Sequence, residues 1–107
     1  MWKVVIIEDE DLLREGLKNC FDWEKRGFVI AGDADNGKTA LTLIRELKPD
    51  IVFTDIKMPF MDGITMTEKL KENYPEIKVV IISGYDEFEF ARRALKAGVS
   101  EYLLKPV

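Results

Sequence analysis

The sequence predicts an α/β domain built as a doubly wound, five-stranded parallel sheet. Three observations carry that reading. Short β-branched runs alternate with segments whose apolar residues recur at helical spacing. Pro49, Pro75 and Gly98 punctuate the returns, and acidic, hydroxyl and amine residues gather just after the apolar runs.

The strands are read at Val4–Ile7, Phe28–Ala31, Ile51–Thr54, Val79–Ile82 and Tyr102–Leu104. Four helices separate them. Leu12, Leu13, Leu17, Cys20 and Phe21 line one face of the first, and Ala40, Leu41, Leu43, Ile44 and Leu47 give the second its stripe. Ile64, Thr67, Leu70 and Lys71 predict a third helix over 63–73, and Phe88, Ala91 and Leu95 a fourth over 86–97. Strand, helix, strand alternation implies right-handed crossovers with helices on both faces of the sheet.

A chain of 107 residues, 47% hydrophobic and 34% charged, is expected to form one domain over 1–107 around a single core. Its net charge of −4 leaves no basic face for direct nucleic-acid or anionic-membrane binding. The lone Cys20 cannot form an internal disulfide, and no start resembling a signal peptide is present, so a cytoplasmic setting is expected. No apolar run approaches membrane-spanning length. With no histidine, the chain has no His-based catalysis or metal ligation of its own.

In an open α/β sheet, ligands bind outside the carboxyl ends of the strands. Those ends read Glu8-Asp9-Glu10 after the first run, Asp55 after the third, Ser83 after the fourth and Lys105-Pro106 after the fifth. If the strand order is 2-1-3-4-5, the switch point lies between the first and third strands, which sets Glu8, Asp9 and Asp55 side by side. Crowded carboxylates call for a cation, and oxygen ligands suit Mg²⁺. With a Lys on one flank and a hydroxyl on the other, such a site can neutralise a phosphoryl group while one carboxylate attacks in line, forming an aspartyl phosphate.

The stretches IIEDE, TDIKMPFMDGI, VVIISGYDEF and AGVSEYLLKPV resemble the signatures of the response-regulator receiver domain of two-component signalling. The resemblance covers essentially the whole chain and implies a flavodoxin-like fold with strand order 2-1-3-4-5. It implies Asp55 as phosphoacceptor, Asp9 as a direct Mg²⁺ ligand, Glu8 as an acid acting on the metal, and the carbonyl of Lys57 completing the protein ligands. It further implies Ser83 as switch hydroxyl, Tyr102 as switch aromatic and Lys105 as the phosphoryl-binding amine, with a cis bond at Lys105-Pro106. Glu8 departs from the family's commoner Asp. The partner would be a sensor histidine kinase, and the domain would be no enzyme beyond weak self-phosphorylation and autodephosphorylation. Inward rotation of Tyr102 would alter the surface of the fourth helix and fifth strand, with Phe90 as an exposed anchor. FDWEKRGF and SGYDEFEFARRALKAG are similar to receivers joined to AraC-type helix-turn-helix output domains, which would lie beyond residue 107.

A competing motif is the literal G-x-x-x-x-G-K-[ST] pattern of Gly32–Thr39, GDADNGKT, the signature of a phosphate-binding loop. Asp33 and Asp35 set two negative charges against a triphosphate, and Asn36-Gly37 suit a turn ahead of a helix. A P-loop nucleotide-binding enzyme and a receiver-like module that binds partners without phosphorylation are the alternatives. Met58 and Met61 are expected to pack around Pro59, and Trp2 and Trp23 near the first strand and helix. Because the chain reaches Val107 just after the fifth strand, the fifth helix is expected to be absent from this chain. The apolar surface so bared on the first helix and outer strands predicts self-association.

Overall fold

A computed structural model describes residues 1–20, 22–56, 58, 61–83 and 88–104, with backbone only at 83, 88–91 and 104. The strands are β1 (Trp2–Ile7), β2 (Phe28–Ala34), β3 (Ile51–Thr54), β4 (Lys78–Ser83) and β5 (Glu101–Leu104). The helices are α1 (Asp11–Asn19), α2 (Gly37–Leu47), α3 (Gly63–Asn73) and α4 (Phe88–Ala97), with a short 3₁₀ turn at Glu24–Arg26. All strand pairs are parallel, in the order β2-β1-β3-β4-β5. The expected sheet order is the observed one.

Alternation along each strand divides the sheet into two unequal faces. Val5 and Ile7 of β1, Val52 of β3, and Val79 and Ile81 of β4 point into one cluster with Ala40 and Ile44 of α2, Ile64, Met66 and Leu70 of α3, and Ala94 of α4. This is the core. The other face carries Ile6, Phe53, Ile82 and Leu103, which line an open groove of about 320 Å³ with Leu17, Trp23 and Phe28.

Local chemistry sets the helix ends. Asn36 caps α2 by accepting the Thr39 N–H, and Asp62 caps α3 by accepting the Thr65 N–H, each at 2.8 Å. Lys48 closes α2 in the left-handed region at φ 48°, and the helix cannot continue into Pro49.

α1 has no buried residue, in line with the apolar surface expected to be bared on the first helix: Leu12 is 88% exposed, and Leu13 and Cys20 are exposed too, because no element of the described structure lies over that stripe. Three expectations need correction. Leu95 of α4 is 64% exposed while Ala94 is fully buried, so the helix turns a different face to the core than the Phe88, Ala91, Leu95 stripe implied. The side chains of Phe88, Phe90 and Ala91, like all of Phe21, lie outside the described residues. β2 runs three residues beyond Ala31, through Gly32-Asp33-Ala34, and a register shift between Val4 and Val5 leaves Ala31 as the extra residue of a bulge. Trp2 is 59% exposed at the sheet's amino edge, whereas Trp23 packs edge-on against Phe28 and Phe53.

The β2 extension removes the phosphate-loop reading. Gly32, Asp33 and Ala34 are strand residues rather than a loop, and only Asp35 and Asn36 separate strand from helix. A Cβ at Gly32 would meet Leu47 and Leu43 at 3.0 and 3.1 Å, so that glycine serves helix packing on the edge strand. The Thr39 amide is already taken by Asn36.

Candidate functional site

β1 and β3 are neighbours, with Ile7 opposite Thr54, so the residues just past them emerge together at the carboxyl edge. One carboxylate oxygen from each of Glu8, Asp9 and Asp55 lies within 4.8 Å of the others. Glu8 is 1% exposed, while Asp9 and Asp55 are half-buried.

Backbone and side-chain bonds pin the three acids. The Asp55 N–H donates to the Ile7 carbonyl at 3.1 Å, and Asp55 Oδ1 accepts the Ile56 N–H at 2.7 Å. The Thr54 hydroxyl donates to the Asp55 carbonyl at 2.9 Å. Glu8 donates its N–H to Ala34 at 3.0 Å, and its Oε2 accepts the Glu10 N–H at 3.2 Å. Hard carboxylate oxygens from two adjacent strand ends, one acid buried and two half-buried, form a donor set that fits Mg²⁺ with retained waters.

Two residues missed in the sequence reading shape this edge. Gly63, the first residue of α3, donates to the Ile56 carbonyl at 2.6 Å, and a Cβ there would overlap the carbonyl oxygen of Asp55. Its signal was the Asp62-Gly63 pair, a helix cap followed by the one residue without a side chain. Arg14 donates to the Glu8 carbonyl and to Asp33 Oδ2, both at 2.8 Å, and to Asp11 Oδ1 at 2.6 Å. The hydrogen bond to Asp11 is the largest influence raising the Arg14 pKa above its ordinary value. No local pattern marks Arg14, because Asp33 is 19 residues away in sequence.

Among the other expected site residues, Ser83 pairs with Leu104 at the carboxyl ends of β4 and β5, which places its backbone on the same edge. Its side chain lies outside the described residues. Lys57, Lys105, the Lys105-Pro106 bond and Pro59 also lie outside them. Tyr102 stands opposite Ile81, half-buried and packed against the core cluster, as Met58 and Met61 are.

Residues 4–107 match the family described as the response regulator receiver domain. The chain belongs to that family. It is 40% identical over 106 residues to the uncharacterized transcriptional regulatory protein YesN of Bacillus subtilis, covering 99% of this chain and 29% of that protein. It is 37% identical over 103 residues to the transcriptional regulatory protein DegU of Brevibacillus brevis, covering 96% of this chain and 43% of that one. The chain thus spans less than half the length of either relative. Among solved structures, the receiver domain of the response regulator AraT from Geobacillus stearothermophilus superposes with a TM-score of 0.91 at 39% identity, covering 99% of this chain and 82% of that one. A complex of CheX and CheY with BeF₃ and Mg²⁺ from Borrelia burgdorferi gives 0.90 at 29% identity, covering 99% of this chain and 79% of that one. No helix among the described residues of this receiver is long and apolar enough to cross a membrane.

Proposed function

We propose that this receiver accepts a phosphoryl group on Asp55 from a partner histidine kinase in the cytoplasm and thereby controls a transcriptional output. The observation that carries the reading is the meeting of Glu8, Asp9 and Asp55 at the switch point of the sheet. In the transfer, an Asp55 carboxylate oxygen attacks the phosphorus of a phosphohistidine. A P–O bond forms, the P–N bond breaks, and the electron pair returns to the imidazole. Glu8, Asp9 and Asp55, with the Lys57 carbonyl that the family resemblance adds, would hold Mg²⁺. The bound ion supplies positive charge that offsets the phosphoryl oxygens. Lys105 would pair with one of those oxygens and Ser83 would hydrogen-bond another.

Phosphorylation adds up to two negative charges at the carboxyl edge. Movement of Ser83 toward them and rotation of Tyr102 would shift the domain between two packings and change the surface of α4 and β5. The chain acts as a phosphorylated switch rather than a turnover enzyme. The relatives named as transcriptional regulators support an output domain beyond residue 107; its helix-turn-helix, DNA-binding kind is what the family resemblance implies. Self-association belongs to the same reading, since Leu17, Trp23, Phe53 and Leu103 line an open apolar groove.

The test is intact mass after treatment with a small phosphodonor and Mg²⁺. The wild type should gain one phosphoryl group and Asp55→Asn none. Labelling of the variant at the wild-type rate would refute the assignment.

A further inference from the structure

We infer that Arg14 is a positioning residue for the cation site: its guanidinium fixes the peptide joining Glu8 to Asp9, and through it the direction in which the Asp9 carboxylate leaves the chain. The inference rests on the reading of Glu8, Asp9 and Asp55 as a Mg²⁺ site.

Asp9 lies in the short link between β1 and α1, so its geometry depends on how well both ends of that link are held. β1 is a central strand, hydrogen-bonded on both sides. α1, in contrast, has no buried residue, so packing alone does not fix it on the sheet. Arg14 supplies a polar substitute. Its side chain is 14% exposed and reaches three acceptors on three segments: Asp33 at the end of β2, the Glu8 carbonyl just past β1, and Asp11 in the first turn of α1. A planar guanidinium with several fixed donors can hold three such groups in one relative arrangement; a point charge cannot.

The bond to the Glu8 carbonyl matters most for Asp9. That carbonyl shares a rigid peptide plane with the Asp9 N–H and Cα. The Glu8 N–H is already held by Ala34 at 3.0 Å, so Arg14 anchors the second polar group of Glu8 and fixes the plane leading into Asp9. Lys18 supports the arrangement from the next turn, 3.6 Å from the other Asp33 oxygen.

The sign of the effect separates positioning from charge. Replacing Arg14 with a neutral residue takes the net charge from −4 to −5, one positive charge fewer. By charge alone the variant should attract Mg²⁺ more strongly. Weaker binding therefore has to come from geometry.

The experiment is calorimetric titration of the unphosphorylated protein with MgCl₂ at fixed ionic strength, on wild type, Asp9→Ala, Arg14→Ala and Arg14→Lys. Arg14→Ala should raise the Mg²⁺ dissociation constant about tenfold, as loss of an outer partner of a metal ligand does. Arg14→Lys, which keeps the charge but not the fork, should remain at least about threefold weaker than wild type. A dissociation constant within about twofold of wild type, or tighter, for a folded Arg14 variant would overturn the inference and leave Arg14 a structural tether. If Arg14→Ala is unfolded at the assay temperature, Arg14→Lys decides by the same criterion. Wild-type binding that survives Asp9→Ala intact would instead remove the Mg²⁺ reading itself, and this inference with it.

Discussion

Gly63→Ala is a one-methyl change that should act as a severe one. Gly63 opens α3 directly beneath the Asp55–Ile56 peptide, where an added Cβ would overlap the Asp55 carbonyl oxygen and lie 3.3 Å from the Ile56 Cα. Both obstacles are backbone atoms, so no side chain can swing aside. The helix end and the Asp55–Ile56 peptide must part instead. Overpacking of this kind costs about 1–3 kcal/mol. Parting also stretches the Gly63 N–H bond to Ile56, worth about 1 kcal/mol, and strains the Asp62 cap on Thr65, worth about as much again. Against this, Ala gains at most about 1 kcal/mol over Gly in helix propensity, and less at a first helical position. The expected net loss is about 3 kcal/mol, a fall of roughly 12–24 °C in melting temperature for a domain of this size. Urea unfolding followed by far-UV circular dichroism measures it. A loss below about 0.5 kcal/mol, the range of ordinary surface changes, would show that α3 does not bear on the Asp55 backbone as described.

Asp9→Ala should abolish the rise in melting temperature that Mg²⁺ gives the wild type. It should also leave the metal-free protein at least as stable as wild type, since one of three crowded charges is gone; equal Mg²⁺ stabilisation of both proteins in a thermal scan would count against the site. Lys71 is held below its ordinary value of 10.5, first by burial and then by Lys78, so the unfolded chain binds that proton more tightly. The cost is present at neutral pH and is relieved as pH rises through the folded value toward 10.5. Over that window wild-type stability should climb relative to Lys71→Met, and parallel pH profiles for the two in urea melts would contradict it. In sedimentation velocity the chain should self-associate through its apolar groove and Leu17→Glu should shift it to monomer; identical monomeric profiles for both would dismiss that surface.

What the sequence made legible, and what it did not, follows from the range of the interactions involved. Most element positions came from period and punctuation alone: α3 begins at Gly63 and ends at Asn73 as its apolar spacing implied. The sheet order came with the family resemblance. The meeting of Glu8, Asp9 and Asp55 was legible too, because strand ends and sheet order together decide it. Local pattern misjudged β2, where Gly32 and Asp33 look like a loop but pair with Val5 and Ile6 of β1. The phase of α4 was misjudged because a helix with both Ala94 and Leu95 has two plausible inward faces, and contact with its neighbours decides between them. Arg14 and Gly63 stayed hidden for a related reason. Each acts on the backbone of a different element, across a gap that only the fold closes.

These two residues also show that the two halves of the candidate site are held by different physics. Asp55 sits between a central strand and α3, whose Ile64, Met66 and Leu70 are buried in the core, and Gly63 transmits that packing directly to the Asp55 peptide. Asp9 precedes a helix with no buried residue, and its peptide is steadied by a charged fork and a carboxylate partner. Packing in a dense core is insensitive to salt and intolerant of added volume. Partly exposed charge pairs are weakened by salt and indifferent to small changes in the core. Asp55, the proposed phosphoacceptor, is thus fixed rigidly, while the acid that would grip the metal is held by bonds of modest individual strength. That division would suit the proposed role of the site, in which the nucleophile must keep its place while the charge around it changes with each phosphorylation.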